Sequence, residues 1–388
     1  MTLQSLEHYG LSADRGYLSQ HEVDEIELPD MFDEIEDAAA MLPALISTGR
    51  LRHWLHQLAI PDVATFLETA TQEQINVAMV RYSFLVQAYV WGETHAPQAL
   101  PANLAIPYVA LCDAMGLEPV MNYAAYVLDN WFRLEKDGPI ALENIAMDQH
   151  FAGGQDESWF VLVHVAIEAE AGRALDLAVQ LVHASDAGDA PAVEAMLVEM
   201  NQVWDRINRV FDRMVERCDP YVYFNRVRPY IHGWKNNPAL PDGLLYEGVA
   251  KYDGKPRALR GQTGSQSSIV PTMDALYQVE HGNDELREFL AELHQYRPLK
   301  HRAFIEAMQQ ASHLRDFAKT QGQSLKDAFN ACVEQVARFR TRHLEYAASY
   351  INKQASTEAG NDPDVGTGGT PFMKYLKKHR DENRAQTI

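Results

Sequence analysis

Hydrophobic residues that recur every three or four positions constrain this chain more than any other feature of its sequence. The clearest run begins after Pro191 and places one apolar face on a helix, formed by Val193, Met196, Met200, Val203, Ile207, Val210 and Met214. Thr71 and Gln74 match the pattern that caps a helix start. Runs of alternating polarity, which would predict strands, are not found, and neither is an internal repeat. The sequence therefore predicts an all-α fold.

Other segments of the chain show the same periodicity or a Gly-rich break from it. Further helices are expected near Tyr123–Trp131, from Ser158 to about His183, from about Leu325 to Ile351, and over Phe372–Arg384. A turn-rich break at Phe151–Gly154 predicts a boundary between a small helical domain, 1–150, and a larger one, 151–388. Residues 235–268 are predicted to form a long loop, and residues 354–371 a mobile one.

Charge and cysteine content exclude several kinds of function. A formal net charge of −20 repels phosphate backbones, so we expect no nucleic-acid partner. The longest apolar run, Trp159–Ile167, is shorter than the roughly 20 residues that cross a bilayer, so no membrane span is expected. Cys112, Cys218 and Cys332 lie far apart and form no C-x-x-C pair, which excludes thiolate zinc sites. Together with the lack of a signal-like start, scattered thiols favour a cytoplasmic protein.

His343 is the first candidate functional residue. It lies seven positions after Val336 and four after Phe339, on the apolar face of the helix expected there. A neutral imidazole on an apolar helix face is what a proximal haem ligand requires. Either Arg340 or Arg342 could then pair with a haem propionate. A core histidine that hydrogen-bonds a neighbour is the alternative, and periodicity alone leaves both open.

His164 is the second candidate. It lies inside the apolar run Trp159–Ile167, which predicts a buried helix segment. A buried polar group needs a partner, which could be iron, a substrate N–H, water or a backbone carbonyl. A histidine whose hydrogen bonds are satisfied within the core is the plainer interpretation.

Arg228 is the third candidate, because it follows two aromatic residues, Tyr223 and Phe224. A guanidinium can hold a carboxylate while aromatic rings stack on a flat substrate. Surface arginines and core aromatics are common, so this pattern alone is weak. The Gly-rich stretch Gly366–Thr370 lacks the spacing of a phosphate-binding loop and is interpreted as a flap or a linker.

Seven blocks of the sequence, in order along the chain, resemble the indoleamine 2,3-dioxygenase family. They are Ala88–Gly92, Leu100–Pro107, Tyr126–Trp131, Gly233–Pro238, Asp242–Gly248, Ser265–Ser268 and Gly366–Thr370. Matches in family order over most of the chain are far more specific than any single motif. The resemblance implies a small N-terminal helical domain and a larger domain that binds haem b.

The resemblance also implies roles for individual residues. His343 is the proximal iron ligand, Arg340 lies near a propionate, Asp274 is its acidic partner, and Arg228 holds the substrate carboxylate. His164 stands on the distal side. The residues that border the indole or belong to loops closing over it are Tyr123, Tyr126, Val127, Phe160, Tyr223, Phe224, Gly264 and Thr367.

Three of these positions differ from the better-known animal members of the family. His164 replaces a serine, Tyr126 a cysteine and Tyr223 a phenylalanine. A distal histidine is similar to that of the related tryptophan 2,3-dioxygenases, where it meets the indole N–H. The implied reaction adds O2, as co-substrate, across the indole C2–C3 bond of tryptophan or a related indole. The product is of the N-formylkynurenine type, and an electron donor keeps the haem iron ferrous.

Two other functions remain open at this point. If His164 and His343 both bind the iron, the protein is a six-coordinate haem protein for electron transfer or sensing. If neither does, it is a helical interaction module without a cofactor. The Arg228 cluster and the Gly366–Thr370 loop favour an enzyme over both.

Overall fold

Helices dominate the computed structural model, which describes residues 3–280, 285–354, 367 and 372–388. Within these residues the α-helices are α1 (Asp33–Ala40), α2 (Leu42–Thr48), α3 (Leu51–Leu55), α4 (Val63–Thr69), α5 (Gln72–Trp91), α6 (Ala102–Met115), α7 (Gln155–Asp186), α8 (Ala190–Asp212), α9 (Pro220–Val222), α10 (Ile269–Leu276), α11 (Glu285–His294), α12 (Leu299–Ala311), α13 (Leu314–Lys319), α14 (Gln323–Ala347) and α15 (Phe372–Arg384). The all-α prediction is confirmed.

The few strands in the described residues form two short pairs. β1 (Ala99–Leu100) runs parallel to β4 (Leu245–Tyr246), and β2 (Trp131–Arg133) runs antiparallel to β3 (Ile145–Met147). Strands of two or three residues add no sheet layer to the fold, so they do not alter its class.

The helix expected near Tyr123–Trp131 is shorter than predicted. Only Ala124–Leu128 is helical, as one π-helical turn, and Trp131 already begins β2. Asn130 draws the chain away from the helix, because its side chain exchanges two hydrogen bonds with the backbone of Gln149, at 3.0 and 2.8 Å. Asparagine competes with helical hydrogen bonds in this way, and the periodicity of apolar residues does not reveal it.

The helix signals elsewhere are confirmed. The Thr71 hydroxyl accepts the Gln74 N–H at 3.3 Å, and the Gln74 side chain accepts the Thr71 N–H at 3.2 Å, which completes the capping box. Asp189 caps α8 through the Ala192 N–H at 3.1 Å. The apolar face of α8 has a fully buried centre, formed by Val193, Met200, Val203 and Ile207.

Five packed helices surround the candidate histidines. The long helix α7 packs on α8, α8 packs on α14, and α15 lies along α14, while α10 contacts α7. His164 lies on α7, His343 on α14 and Asp274 on α10. These residues are distant in sequence, so helix packing alone makes them neighbours.

Residues 235–268 wrap over this helical group with little regular structure. They hold β4 and two 3₁₀ turns, Ala250–Tyr252 and Gly264–Gln266. The backbone at Gly233 passes so close to that of Gly261 that a Cβ at either position would collide with the other chain segment. This crossing fixes the start of the segment that carries Gly264 into the helical group.

The domain boundary near residue 150 stays a prediction. Of the mobile loop expected over 354–371, only Gln354 and Thr367 belong to the described part of the chain. No helix in the described residues has the length and apolarity that crossing a membrane would require.

Candidate active site

A cavity of about 900 Å³ lies among α7, α10, α14 and the turn at Gly264. Its size is near the upper end of the roughly 300–1,000 Å³ typical of sites for cofactors and small molecules. Six of the residues expected at the site contribute to its wall in the described structure: Tyr123, His164, Gly264, Asp274, Arg340 and His343. The sequence separates them by up to 220 positions, and the fold collects them around one space.

His343 lies in apolar surroundings. Its ring centroid is 6.4 Å from that of Phe211, edge to face, and Phe339 stacks on Phe211 at 4.7 Å. Burial, with smaller contributions from His164 and Arg340, lowers the pKa of His343 to about 4. Within the described part of the chain neither ring nitrogen makes a hydrogen bond. His343 is thus a neutral imidazole at the cavity wall with a lone pair left for a ligand.

A buried ion pair lies one turn before His343. Arg340 donates to both oxygens of Asp274, with N–O distances of 2.6 and 3.2 Å, and both side chains are about nine-tenths buried. Arg342, the other arginine considered for a propionate, instead pairs with Asp212 at 2.6 Å and is more than one-third exposed. Of the two arginines considered for a propionate, Arg340 is therefore the one on the cavity wall.

His164 has one ring nitrogen satisfied. Its Nδ1 lies 2.7 Å from the carbonyl oxygen of Phe160, one turn earlier on α7. A carbonyl can only accept, so the proton of the neutral ring is on Nδ1 and Nε2 keeps its lone pair. Burial lowers the pKa of His164, which the bond to Phe160 partly opposes. Of the partners considered from sequence, the structure supplies the backbone carbonyl and leaves Nε2 as an acceptor.

Aromatic side chains form a cluster that includes the His164 ring. The Phe160 ring centroid lies 4.8 Å from that of His164, 4.7 Å from Tyr223 and 6.4 Å from Tyr126. Tyr123 is on another side of His164, 6.1 Å away and edge to face. These five rings form what we call the aromatic pocket.

Three π-helical turns, in the part of the chain that the structure describes, support this pocket. They are Ala124–Leu128, Tyr223–Val227 and Ala348–Asn352. The first carries Tyr126 and Val127, the second Tyr223 and Phe224, and the third a tyrosine that packs on Tyr223. A π-turn adds a residue to a helix and re-aims its side chains, and such turns are frequent at functional sites.

Arg228 follows the second π-turn and is fully buried. Its guanidinium carbon lies 5.3 Å from the centroid of the Phe224 ring, which is also fully buried. Burial raises the pKa of Tyr223, and the charge of nearby Arg228 opposes this effect. The arginine expected to hold a carboxylate is therefore part of the interior, next to the aromatic pocket, and is not a surface residue.

The remaining expected residues occupy less direct positions. Val127 is fully buried beside Tyr126 and brings no polar group. A Cβ on Gly264 would lie 3.9 Å from Cε1 of His343, so the glycine keeps space open beside that ring. The Thr367 hydroxyl donates to the carbonyl of Gln262 at 2.5 Å. Thr367 thus lies against the segment that leads to Gly264, and it is not among the described residues of the cavity wall.

Sequence reasoning missed a polar group beneath the turn at Gly264. Arg297 is almost fully buried and donates to the carbonyls of Ser265 and Ser267, at 2.8 and 3.3 Å. The Ser267 hydroxyl donates to Glu168 at 2.8 Å, and burial raises the pKa of Glu168 to about 7. The available signal for Glu168 was its spacing from His164, which places two polar groups on one face of the mainly apolar segment Trp159–Ala169.

The cavity residues fit a haem. A lone-pair imidazole without a hydrogen-bond partner in the described chain suits an axial ligand, and a buried guanidinium held by a carboxylate suits a propionate. The stacked phenylalanines and the glycine beside His343 leave an apolar wall and room for a flat ring system. Fold and cavity together fit a helical haem protein with an adjoining aromatic pocket.

Comparisons with known proteins agree with this class. Residues 5–386 match the family model for indoleamine 2,3-dioxygenase. The chain is 33% identical to indoleamine 2,3-dioxygenase 1 of Rattus norvegicus, over 98% of this chain and 95% of the rat protein. It is 31% identical to indoleamine 2,3-dioxygenase 2 of Homo sapiens, over 97% and 94%. A 6-hydroxytryptophan 2,3-dioxygenase of Fusarium equiseti is 28% identical, over 98% and 97%.

The chain therefore belongs to the indoleamine 2,3-dioxygenase family. It is an oxidoreductase of the haem dioxygenase class. The family prediction made from the seven sequence blocks is confirmed, and the cofactor-free interaction module is wrong.

Proposed function

We propose that this enzyme binds haem b through His343 and adds both atoms of O2 across the C2–C3 bond of tryptophan or a related indole. The C2–C3 bond would break as each of its carbons takes one oxygen atom, and the product would be of the N-formylkynurenine type. The observation that carries the proposal is the single cavity shared by two neutral imidazoles, His343 and His164, with an aromatic pocket against the second. The names of the relatives, which include an indoleamine and a hydroxytryptophan dioxygenase, support an indole substrate.

His343 and Arg340 would hold the cofactor. The imidazole lone pair would bind the iron, and the Arg340 guanidinium, kept in place by Asp274, would pair with a propionate. Bound haem supplies the chemistry that lets O2 react with the indole. The low pKa of His343 keeps its nitrogen unprotonated at neutral pH, so binding iron there needs no prior loss of a proton.

The aromatic pocket and Arg228 would position the substrate. Flat rings at Phe160 and Tyr223 offer stacking surfaces, and the buried guanidinium of Arg228 offers a charge for the amino-acid carboxylate. Fixing the carboxylate determines which edge of the indole faces the haem. Positioning of this kind can lower a barrier by roughly 7–11 kcal/mol in favourable cases. The turn at Gly264, with Thr367 hydrogen-bonded to the segment before it, would help to exclude water.

His164 would accept the indole N–H at Nε2. The hydrogen bond from Nδ1 to Phe160 fixes the tautomer that this role needs. The enzyme would also need an external electron donor to keep the iron ferrous. Free, buried thiols at Cys112, Cys218 and Cys332 support a reducing compartment such as the cytoplasm.

The direct test uses isotopically labelled O2. Purified protein reconstituted with haem, reduced and supplied with tryptophan is expected to form a product that carries both labelled oxygen atoms and shows the absorbance of N-formylkynurenine. Mass spectrometry of the product measures the label. A product with one labelled atom, or label found only in water, would contradict insertion of both atoms.

The role of His164 has its own prediction. We expect His164→Ala to lower kcat/KM for tryptophan about fivefold, since one neutral hydrogen bond contributes about 1 kcal/mol. The matched substrate is N1-methyltryptophan, which lacks the N–H, and its kcat/KM should stay level or rise in the variant. Steady-state kinetics on both substrates checks this.

An equal loss of kcat/KM on both substrates would contradict a hydrogen bond between His164 and the indole N–H. The lone pair of Nε2 is also one that a haem iron can accept. A reduced absorption spectrum typical of two histidine ligands, lost in His164→Ala, would show that His164 binds iron and would contradict its contact with the indole N–H.

A further inference from the structure

Helix α15 is fastened along the helix that carries His343. The Asn330 side chain, on α14, donates to the carbonyl of Ile388 at 2.7 Å and accepts its N–H at 2.8 Å. Arg384 pairs with Glu334 of α14 at 2.7 Å on the surface. The two hydrogen bonds of Asn330 hold this end of the chain against α14, whereas the exposed ion pair of Arg384 adds little. The buried side chains of α15 that precede these contacts therefore have defined positions.

Two of those buried side chains reach the cavity region. His379 is nine-tenths buried and contributes to the cavity wall. Asn383, one turn later on the same face, is fully buried, and its Nδ2 lies 3.4 Å from Oδ1 of Asp274. Asp274 also holds Arg340, so its carboxylate is the junction of three helices, α10, α14 and α15.

We propose that Asn383 is a positioning residue for haem retention, because it holds the Asp274 carboxylate in the orientation that keeps Arg340 at the cavity wall. The inference rests on the proposed function, since it takes haem as the ligand of Arg340. Asn383 would not touch the haem. It acts through a carboxylate and a guanidinium, as residues behind the direct ligands of a cofactor commonly do.

The chemistry of Asn383 fits this role better than a purely structural one. A neutral amide N–H can orient the Asp274 carboxylate without placing a second positive charge beside it. Asp274 therefore keeps its ion pair with Arg340. A lysine or arginine here would draw the carboxylate away from Arg340. The Oδ1 of Asn383 is buried and has no hydrogen-bond partner in the described residues. This buried carbonyl oxygen therefore lowers the stability of the fold. If Asn383 served packing alone, an apolar side chain would do so at least as well.

The test replaces the amide with an apolar group of similar size. Asn383→Leu is expected to release haem about tenfold faster than the wild type, a typical effect of losing a residue behind a cofactor ligand. The melting temperature of its apoprotein should be unchanged or higher, because the unsatisfied Oδ1 is removed. Haem transfer from holoprotein to excess apomyoglobin, followed by the Soret absorption, measures the rate. Calorimetry of the apoprotein measures stability.

Arg384→Ala is the matched control. It lies on the same helix, one residue away, and removes an exposed contact with α14 but none with Asp274. We expect haem release at the wild-type rate. Asn383→Asp should release haem faster still, because a second carboxylate would repel Asp274.

Three outcomes would decide against the inference. If Asn383→Leu releases haem at the wild-type rate, the inference is overturned and the proposed function is unaffected. The same holds if Asn383→Leu and Arg384→Ala both release haem faster and both lose apoprotein stability to a similar extent. A wild-type protein that takes up no haem would overturn the proposed function, and this inference with it.

Discussion

His343→Ala is expected to abolish stable haem binding. The imidazole has an available lone pair beside an apolar wall of the cavity, and alanine cannot supply a ligand. The apoprotein should still fold, because the lost ring makes no hydrogen bond in the described structure. Haem titration followed by the Soret absorption and by gel filtration checks the prediction. We expect the Soret band of bound haem to be lost almost entirely.

Replacing His343 with glycine distinguishes the loss of an iron ligand from the loss of side-chain packing. His343→Gly leaves a hole, and added imidazole should restore a Soret band as it fills the missing position. His183→Ala is the control, since His183 bonds the carbonyl of Leu3 at 2.9 Å and is not among the described residues of the cavity wall. An unchanged Soret band in His343→Ala would show that another residue holds the iron.

Arg228→Ala is expected to lower kcat/KM for tryptophan by about 30- to 5,000-fold, mainly through KM. Removing one partner of a buried charge pair costs about 2–5 kcal/mol, because the other charge is left without compensation. Arg228 is fully buried next to Phe224, so water cannot readily replace its guanidinium. Steady-state kinetics with tryptophan, at saturating O2 and in the haem-loaded enzyme, measures the effect.

The control for this prediction is a change of substrate. Tryptamine has the same indole but no carboxylate, so Arg228→Ala should change its kcat/KM by less than about threefold. Arg228→Lys keeps a charge but loses the two-pronged geometry, and it should fall between the wild type and alanine on tryptophan. Equal losses on both substrates would mean that Arg228 maintains the pocket and does not bind the carboxylate.

The helices could be predicted from sequence because their signals are local. The apolar face of α8 and the capping box before α5 depend on residues a few positions apart, and both are present as expected. The helix near Tyr123–Trp131 was predicted too long, because the deciding contact, from Asn130 to Gln149, joins residues 19 positions apart in the sequence. Periodicity carries no information about such partners.

The candidate site was predictable in its residue types more than in its geometry. Periodicity put His343 on an apolar face, but it could not choose between Arg340 and Arg342, which are two residues apart on the same helix. Their difference lies in what other helices bring to them, Asp274 in one case and Asp212 in the other. Neither Asn383 nor Arg297 had a pattern that would mark it, because their partners are far away in sequence.

The order of apolar and polar residues by itself determined an all-helical chain, and the seven matched blocks determined its family, since both are properties of the sequence read along its length. Tertiary structure alone decided which imidazole nitrogen keeps a lone pair and which arginine faces the cavity. It also decided that Asp274 joins three helices. The reason is that burial and hydrogen-bond partners depend on segments that meet only after the chain has folded.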